Sequence, residues 1–549
     1  MPNSRLKNAC LLALVFTLLT LPNFFAFSYG AYGLVDLVKT ELLSVAFLVI
    51  PAVFFYRNLK LYAYLLIVFI IFSPIVIFSI ITYKLEPGFE FFTLILQTNF
   101  GEMAEITKGH RVLLILVVAV NLVAYVLAIS KITIKRSSLI PTLALSLLAI
   151  TVIGFKLYRD WKQSGAGGVK SKIYRYYPAS VINGIADVLP FIRNNSLARA
   201  KTFTFHSYTK DSPTQRKVFV FIIGESSRYS KWQIYGYQRP TNPKLIQREN
   251  LTAFTNVTAA ANTTMFAVPQ MITRATPDDM DRQYREKSIL SVFKEVGFKT
   301  AWLSNQPNHD AFWSGSILLH AQTADVVYFP PTQFPYFDVN SYDGRYLPIL
   351  DSLISATDQN LFVVIHTMGS HWDYAKRYPS NFEYFKPANT EYDGTAPVNS
   401  FTNNVLNAYD NTIRYTDYFI DSVISIVKKQ NTNSFVTYCA DHGEYLFDST
   451  YDHTVNHLKP SQITLHVPML VWTSENYNKT YPNKVASIFN NKDKKVSASN
   501  IFCSLADLGN IQFNGYDSTL SIASPAFQES SQMYYVNDSK GTAYFKDLH

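Results

Sequence analysis

Five apolar segments near the amino end constrain this chain more than any other feature. In lipid the backbone must satisfy its own hydrogen bonds, so a span is a helix or a strand of a closed barrel. About 20 consecutive apolar residues carry a helix across the hydrocarbon. The runs 9–29, 41–56, 61–83, 112–130 and 138–158 each read as one such helix, the second being the shortest and extended by 34–38. Arg5 and Lys7 ahead of the first run mimic a signal peptide. That run is long, lacks a small-x-small cleavage site and is followed by four more, so it is read as an anchor.

Orientation follows from the short connections. Arg5 and Lys7, then Arg57 and Lys60, then Lys131, Lys135 and Arg136 fall on one side with no acidic residue among them. The alternate loops mix Lys39 with Asp36, and Lys84, Lys108 and Arg111 with Glu86, Glu90, Glu102 and Glu105. The positive-inside rule puts the first group, and the N-terminus, in the cytoplasm. Five crossings then carry everything after residue 158 to the far side.

Residues 159–216 change character and read as a linker. Residues 163–169 are Gly-rich and expected to be flexible, and 173–192 mixes aromatic, aliphatic and charged residues as surface helices do. The formal charge of +9 comes from scattered Lys and Arg rather than a stripe, which excludes a nucleic-acid footprint and suits anionic lipid headgroups. Cys10, Cys439 and Cys503 form no CxxC or Cys/His cluster and read as small buried hydrophobes, with nothing to support a Cys439–Cys503 pair.

From Lys217 onward the pattern is that of a soluble α/β domain, 217–549. The run VFVFIIGE after Lys217 is a buried strand, and similar strands are expected at 300–303, 361–366, 434–439 and 467–472. Helical stretches at 288–296 and 405–428 lie between them. Continuous apolar strands alternating with helices imply a largely parallel sheet covered on both faces. Ligands in such sheets sit beyond the carboxyl ends of the strands. Glu225, His371 and the run Asp441-His442-Gly443-Glu444 all follow such ends. Their oxygen and nitrogen donors suit Zn2+, and the carboxylates alone would suit Mn2+ or Mg2+. A strand-end carboxylate by itself is as readily an ordinary surface group. The polar turn Asn262-Thr263-Thr264 opens a helix-like segment, where either threonine could be a helix cap or meet a phosphate. The local pattern favours the cap.

The motifs VFVFIIGESSRYSKWQIYGYQRPTNPKL, NVTAAANTTMFAVPQMI, HTMGSHWDYAKRYP, AYDNTIRYTDYFID and ADHGE, in that order, resemble the phosphoethanolamine transferases of bacterial envelopes. These are membrane-anchored relatives of sulfatases and alkaline phosphatases. The resemblance implies a five-helix transmembrane bundle, 1–158, and a periplasmic catalytic domain of that fold, anchored in a bacterial inner membrane. It implies that Thr264, rather than Thr263, accepts the phosphoryl group, with Glu225, Asp441, His442 and Thr264 around zinc. One zinc ion is expected, with room for a second and Mn2+ the lesser alternative. It assigns His371 and His453, with His457 as the alternative to His453, to the phosphoryl group. Glu102, in a segment like the family's periplasmic one, is assigned to the donor amine. The implied donor is phosphatidylethanolamine and the acceptor an envelope glycolipid or glycan, either lipopolysaccharide core, lipid A or glucan. The chain is expected to be a monomer.

Two departures bear on the acceptor. Family members that modify lipid A place the nucleophile between two cysteines, where this chain has Ala260 and Gln270. The segment Trp302-Leu-Ser-Asn-Gln-Pro-Asn-His-Asp310 lacks the family's lysine. Both direct attention to core sugars and glucans beside lipid A. The competing readings are a phosphoglycerol transferase or phosphodiesterase of the same fold, and a non-enzymatic envelope assembly protein; GYQRPTNP and AYDN oppose the first, and the set Glu225, Thr264, Asp441 and His442 opposes the second.

Overall fold

The computed structural model describes residues 2–28, 34–83, 91–92, 111–133, 138–173, 176–186, 202–209, 215–306, 315–330, 342–390, 398–448, 455–456, 460–536 and 541–548. The chain divides into two compact units, Met1–Phe191 with Asn537–Lys540, and Ile192–Val536 with Gly541–His549. The stretch 159–216, expected to be a linker, is thus shared between them.

Among the described residues of the first unit, five stretches are long and apolar enough to cross a membrane: Leu6–Ala26, Leu34–Phe55, Leu59–Ile81, Val112–Lys131 and Leu139–Arg159. Val112, Ile115, Phe155 and Ile140 remain 67–80% exposed, a surface that water would not tolerate and lipid covers. The helices are joined by polar contacts of the kind that hold membrane bundles together. Asn23 Nδ2 donates to Glu41 Oε1 at 2.9 Å and to Ser44 Oγ at 3.0 Å, and Tyr125 Oη donates to Ala63 O at 2.8 Å. The second span is an α-helix over Leu34–Val49 that tightens to a 3-10 turn over Ile50–Phe55, where a proline stands at the start. Proline has no N–H for the preceding turn, which accounts for the change of pitch.

One expectation is overturned here. The Gly-rich stretch read as flexible is helical, because the last membrane helix runs without a break over Leu139–Ile173. Each glycine weakens a helix by about 1 kcal/mol relative to alanine. A helix already nucleated in the membrane needs only propagation, so these losses do not end it.

The second unit is built on a seven-stranded sheet. Its strands are β1 (Lys217–Gly224), β2 (Leu251–Phe254), β3 (Lys299–Ser304), β4 (Val326–Tyr328), β5 (Leu361–His366), β6 (Asn433–Ala440) and β7 (Met469–Thr473). The spatial order is β2-β7-β6-β1-β5-β3-β4. From β6 to β4 all pairs are parallel, as the continuous apolar runs imply. Every residue of β1, β5 and β6 is buried. On one face Phe219 stacks on Phe435 with ring centroids 4.2 Å apart, and Phe293 of the helix Ile289–Glu295 stacks on Phe362 at 3.9 Å. On the other face Trp232 packs against Tyr438 at 5.3 Å.

β7 is the exception in this largely parallel sheet, running antiparallel to both β6 and β2. An apolar run carries no direction of its own. The chain leaves β6 at its carboxyl end and re-enters the sheet from that same edge without a crossover, so β7 runs back. β2 then runs with the parallel core, and its last residue Phe254 lies level with Met469, Cys439, Ile223, His366 and Ser304. If all five cross, the two ends of the bundle face opposite sides of the membrane. Reporters fused before Leu6 and after Phe191 should therefore respond from opposite compartments, and activity of both on one side would rule out five crossings.

Candidate metal centre

The level row of strand ends places the chemistry. Gly224 of β1 pairs with Ala440 of β6, so Glu225 and Asp441 emerge side by side where the two central strands finish. His442 follows at once. One ligand atom from each of Glu225, Asp441 and His442 lies within 4.8 Å of the others, and all three residues are buried. Thr264 arrives from the sheet edge. After β2 the chain passes over the carboxyl ends and enters the helix Thr264–Ile272. Thr263 occupies the cap position without a side-chain cap bond, and Thr264 is the first helical residue. Its hydroxyl donates to Glu225 Oε2 at 3.1 Å and lies 3.3 Å from His442 Nε2. The structure thus brings Glu225, Thr264, Asp441 and His442 together.

The electrostatics of the group favour a cation. Burial pushes the Glu225 carboxyl well above its ordinary range, and the neighbouring Asp441 adds to the rise. Ser226 Oγ donates to Glu225 Oε1 at 2.7 Å, while the Ser226 and His442 amides donate to Asp441 Oδ1 at 3.1 and 2.7 Å. Asp441 Oδ2 is buried with no hydrogen-bond partner. His442 Nδ1 faces Gly443 O at 2.9 Å, which requires the proton on Nδ1 and leaves a lone pair on Nε2. That lone pair lies 3.5 Å from carboxylate oxygens of both Glu225 and Asp441. Two buried carboxylates and an unprotonated imidazole nitrogen aimed at one point suit a divalent metal ion, and the orphaned Asp441 oxygen is the donor it would satisfy.

Backbone and side chains behind the ligands hold them in place. Ser226 takes a left-handed conformation at φ 52°, an uncommon state for a residue with a Cβ, so that its amide meets Asp441. Tyr409 Oη donates to Ser226 O at 2.7 Å and accepts from the Arg228 amide at 2.8 Å. Beside it the buried Asp410 accepts from Tyr237 Oη at 2.8 Å and from Arg239 at 2.6 Å. GYQRPTNP and AYDN are therefore two halves of one clasp around the chain that follows Glu225. Gly369, at φ 46°, packs so closely that a Cβ there would come within 2.7 Å of Glu225 O.

Of the remaining candidates, His371 lies among the described residues. His371 follows Ser370, whose amide donates to Glu225 O at 2.9 Å, and its Nδ1 bonds Trp372 O at 2.6 Å. It does not belong to the metal-binding group. Glu102, His453 and His457 lie outside the described residues.

Sequence reasoning missed three contributors. Gln306 Nε2 donates to Glu225 Oε2 at 3.2 Å and to Thr367 O at 3.0 Å. Asp343 accepts from Asn305 Nδ2 and the Met368 amide at 2.8 Å each, and from the Gly369 amide at 3.0 Å. Ser226 is the third. The position of Gln306 just after β3 was the available signal, since Glu225 and Asp441 were found by that rule; Asp343 gave none.

A profile of the sulfatase family matches residues 217–511, more than half of the chain. The chain belongs to the sulfatase family. Within this sulfatase family, it is 29% identical over 332 residues to the phosphoethanolamine transferase EptC of Escherichia coli (strain K12), covering 59% of this chain and 56% of that protein. It is 32% identical over 290 residues to the Kdo(2)-lipid A phosphoethanolamine 7''-transferase of the same strain, covering 52% and 49%. The chain spans about half the length of these two relatives, and both bear the name to which the motifs pointed. The solved C-terminal periplasmic domain of E. coli EptC, in complex with Zn, matches with a TM-score of 0.57 at 27% identity, covering 64% of this chain and 98% of that one. The integral membrane lipooligosaccharide phosphoethanolamine transferase A of Neisseria meningitidis shares the fold over 93% of this chain and 97% of its own, with a TM-score of 0.73 at 20% identity.

Groups that orient metal ligands are worth about 10- to 100-fold in metal affinity. Gln306→Leu should therefore weaken zinc binding by roughly tenfold or more in a chelator competition. Asp441→Ala should abolish binding, while the melting temperature of the metal-free Gln306→Leu protein stays near that of the parent.

Proposed function

We propose that this protein transfers phosphoethanolamine from phosphatidylethanolamine to an envelope glycolipid through a covalent intermediate on Thr264. The observation that carries the reading is the Thr264 hydroxyl, 3.1 Å from Glu225 Oε2 and 3.3 Å from His442 Nε2, beside a buried carboxylate pair. The names of the relatives support the transferred group, and the zinc in one of them supports the metal. The catalytic domain is assigned to the periplasm and the N-terminus to the cytoplasm, with Lys and Arg of the short loops as the support.

Zinc, with Mn2+ the lesser alternative, would be held by Glu225, Asp441 and His442, and would supply the positive charge that makes a threonine hydroxyl acidic enough to attack. Thr264 Oγ1 attacks the donor phosphorus, the bond from phosphorus to the glycerol oxygen breaks, and diacylglycerol leaves carrying the proton. Phosphoethanolamine remains on Thr264 as a phosphodiester. An acceptor oxygen then forms the new bond to phosphorus, and Thr264 recovers a proton from it. Thr264 stands in the first turn of its helix, where the amide dipoles favour negative charge on the phosphoryl oxygens. His371 is assigned to those oxygens, on the resemblance of its segment. Glu102 is assigned to the donor amine and His453 to the phosphoryl group on the same basis. The acceptor is a lipopolysaccharide-type glycolipid, and a membrane-anchored monomer reaches donor and acceptor in one plane.

Mass spectrometry of the full-length protein after incubation with phosphatidylethanolamine should find a phosphoethanolamine group on Thr264. A phosphoglycerol adduct formed from mixed lipid would reject the reading. Thr264→Ala should lose roughly a thousandfold or more in turnover. Glycolipids from cells with and without the gene should differ by phosphoethanolamine, and a difference confined to glucans would move the acceptor.

A further inference from the structure

Thr264 sits at the start of a helix that cannot hold it unaided. The helix Thr264–Ile272 has nine residues and contains Pro269, which has no N–H to give to the carbonyl one turn back. A helix this short is marginal and takes its stability from outside contacts. One side chain supplies a contact to both ends of the turn that carries Thr264. Gln270 is fully buried, and its Nε2 donates to Ala260 O at 3.1 Å and to Phe266 O at 3.0 Å. Both amide hydrogens are thus committed to carbonyls on either side of Thr264. The reverse orientation would set an oxygen against two oxygens, so the assignment of the nitrogen is fixed by chemistry. Ala260 O also accepts from the Tyr535 amide at 2.7 Å, which anchors that end of the tie to the C-terminal strand Met533–Val536. Gln270 Oε1 has no hydrogen-bond partner and is buried. The amide is thus engaged through its two donated bonds and not through its oxygen.

We propose that Gln270 is a positioning residue for Thr264. Its amide closes the segment from Ala260 to Phe266 into a fixed loop and thereby sets Thr264 Oγ1 against Glu225 and His442. The inference rests on the reading of Thr264 as the phosphoryl acceptor. It predicts a specific separation of effects, because Glu225, Asp441 and His442 directly follow β1 and β6 and make no hydrogen bond to Gln270.

Gln270→Met keeps the length and removes both donated bonds. In the full-length protein it should lower kcat by roughly ten- to a hundredfold, the scale of a small misplacement of a reacting group. KM for phosphatidylethanolamine and bound zinc per chain should stay at parental values. Gln270→Asn, which keeps the amide but shortens its reach, should behave the same way. A kcat within twofold of the parent in either variant overturns the proposal, as does a loss of zinc that tracks the loss of kcat. If neither variant yields folded, zinc-bound protein, Gln270 serves the whole domain and the assignment to Thr264 fails. Thr264→Ala run alongside keeps the two readings apart: its retained activity would reject the role of Thr264, whereas an inactive Thr264→Ala beside a fully active Gln270→Met would reject only that of Gln270.

Discussion

Two carboxylates forced into the interior at adjacent strand ends govern the rest of this structure. Glu225 and Asp441 emerge from β1 and β6, two central strands of a sheet buried on both faces, and among the described residues neither has a cationic side chain as a hydrogen-bond donor. Like charges at that separation and depth repel and are poorly solvated. The fold answers with a ring of neutral donors: Ser226, Gln306, Thr264 and the backbone amides of Ser226 and His442. What those donors leave over is a single unsatisfied oxygen on Asp441 and a lone pair on His442, both directed inward. The geometry of the metal centre is in this sense the residue of an electrostatic problem that hydrogen bonds alone do not finish.

Much of the architecture was legible because it follows from periodicity and length. The five membrane helices announce themselves by apolar runs, and β1, β5 and β6 by continuous β-branched and aromatic stretches. Glu225, Asp441 and His442 were legible for a related reason: parallel sheets gather function at their carboxyl edge, so polar residues just past a buried strand are worth attention. The direction of β7 was not legible, since an apolar pentapeptide reads the same either way. The helical Gly-rich stretch was not legible either, because local propensity is blind to a helix already nucleated upstream.

The rest of the site was hidden for a different reason. Gln306 reaches Glu225 across 81 positions and Asp343 reaches Met368 across 25, and neither distance leaves a local pattern. Thr264 and Thr263 are equivalent on paper. In space one occupies the cap and the other turns its hydroxyl to Glu225, and only the resemblance distinguished them beforehand. Ala260 and Gln270 were visible in the sequence as the absence of a cysteine pair. In the fold they are joined all the same, by a hydrogen bond, while Cys439 and Cys503 stay buried and unpaired.

The antiparallel direction of β7 also decides where the pieces of the site come from. Because β7 runs back, the edge strand β2 runs with the parallel core and ends level with the central strands, and the segment bearing Thr264 follows it. The carboxylates and the imidazole thus follow the two central strands, whereas the hydroxyl comes from the chain that follows the edge strand. The two halves of the site therefore meet through the packing of the helix Thr264–Ile272 and the contacts of the Thr264 hydroxyl with Glu225 and His442, not through a shared pair of neighbouring strands.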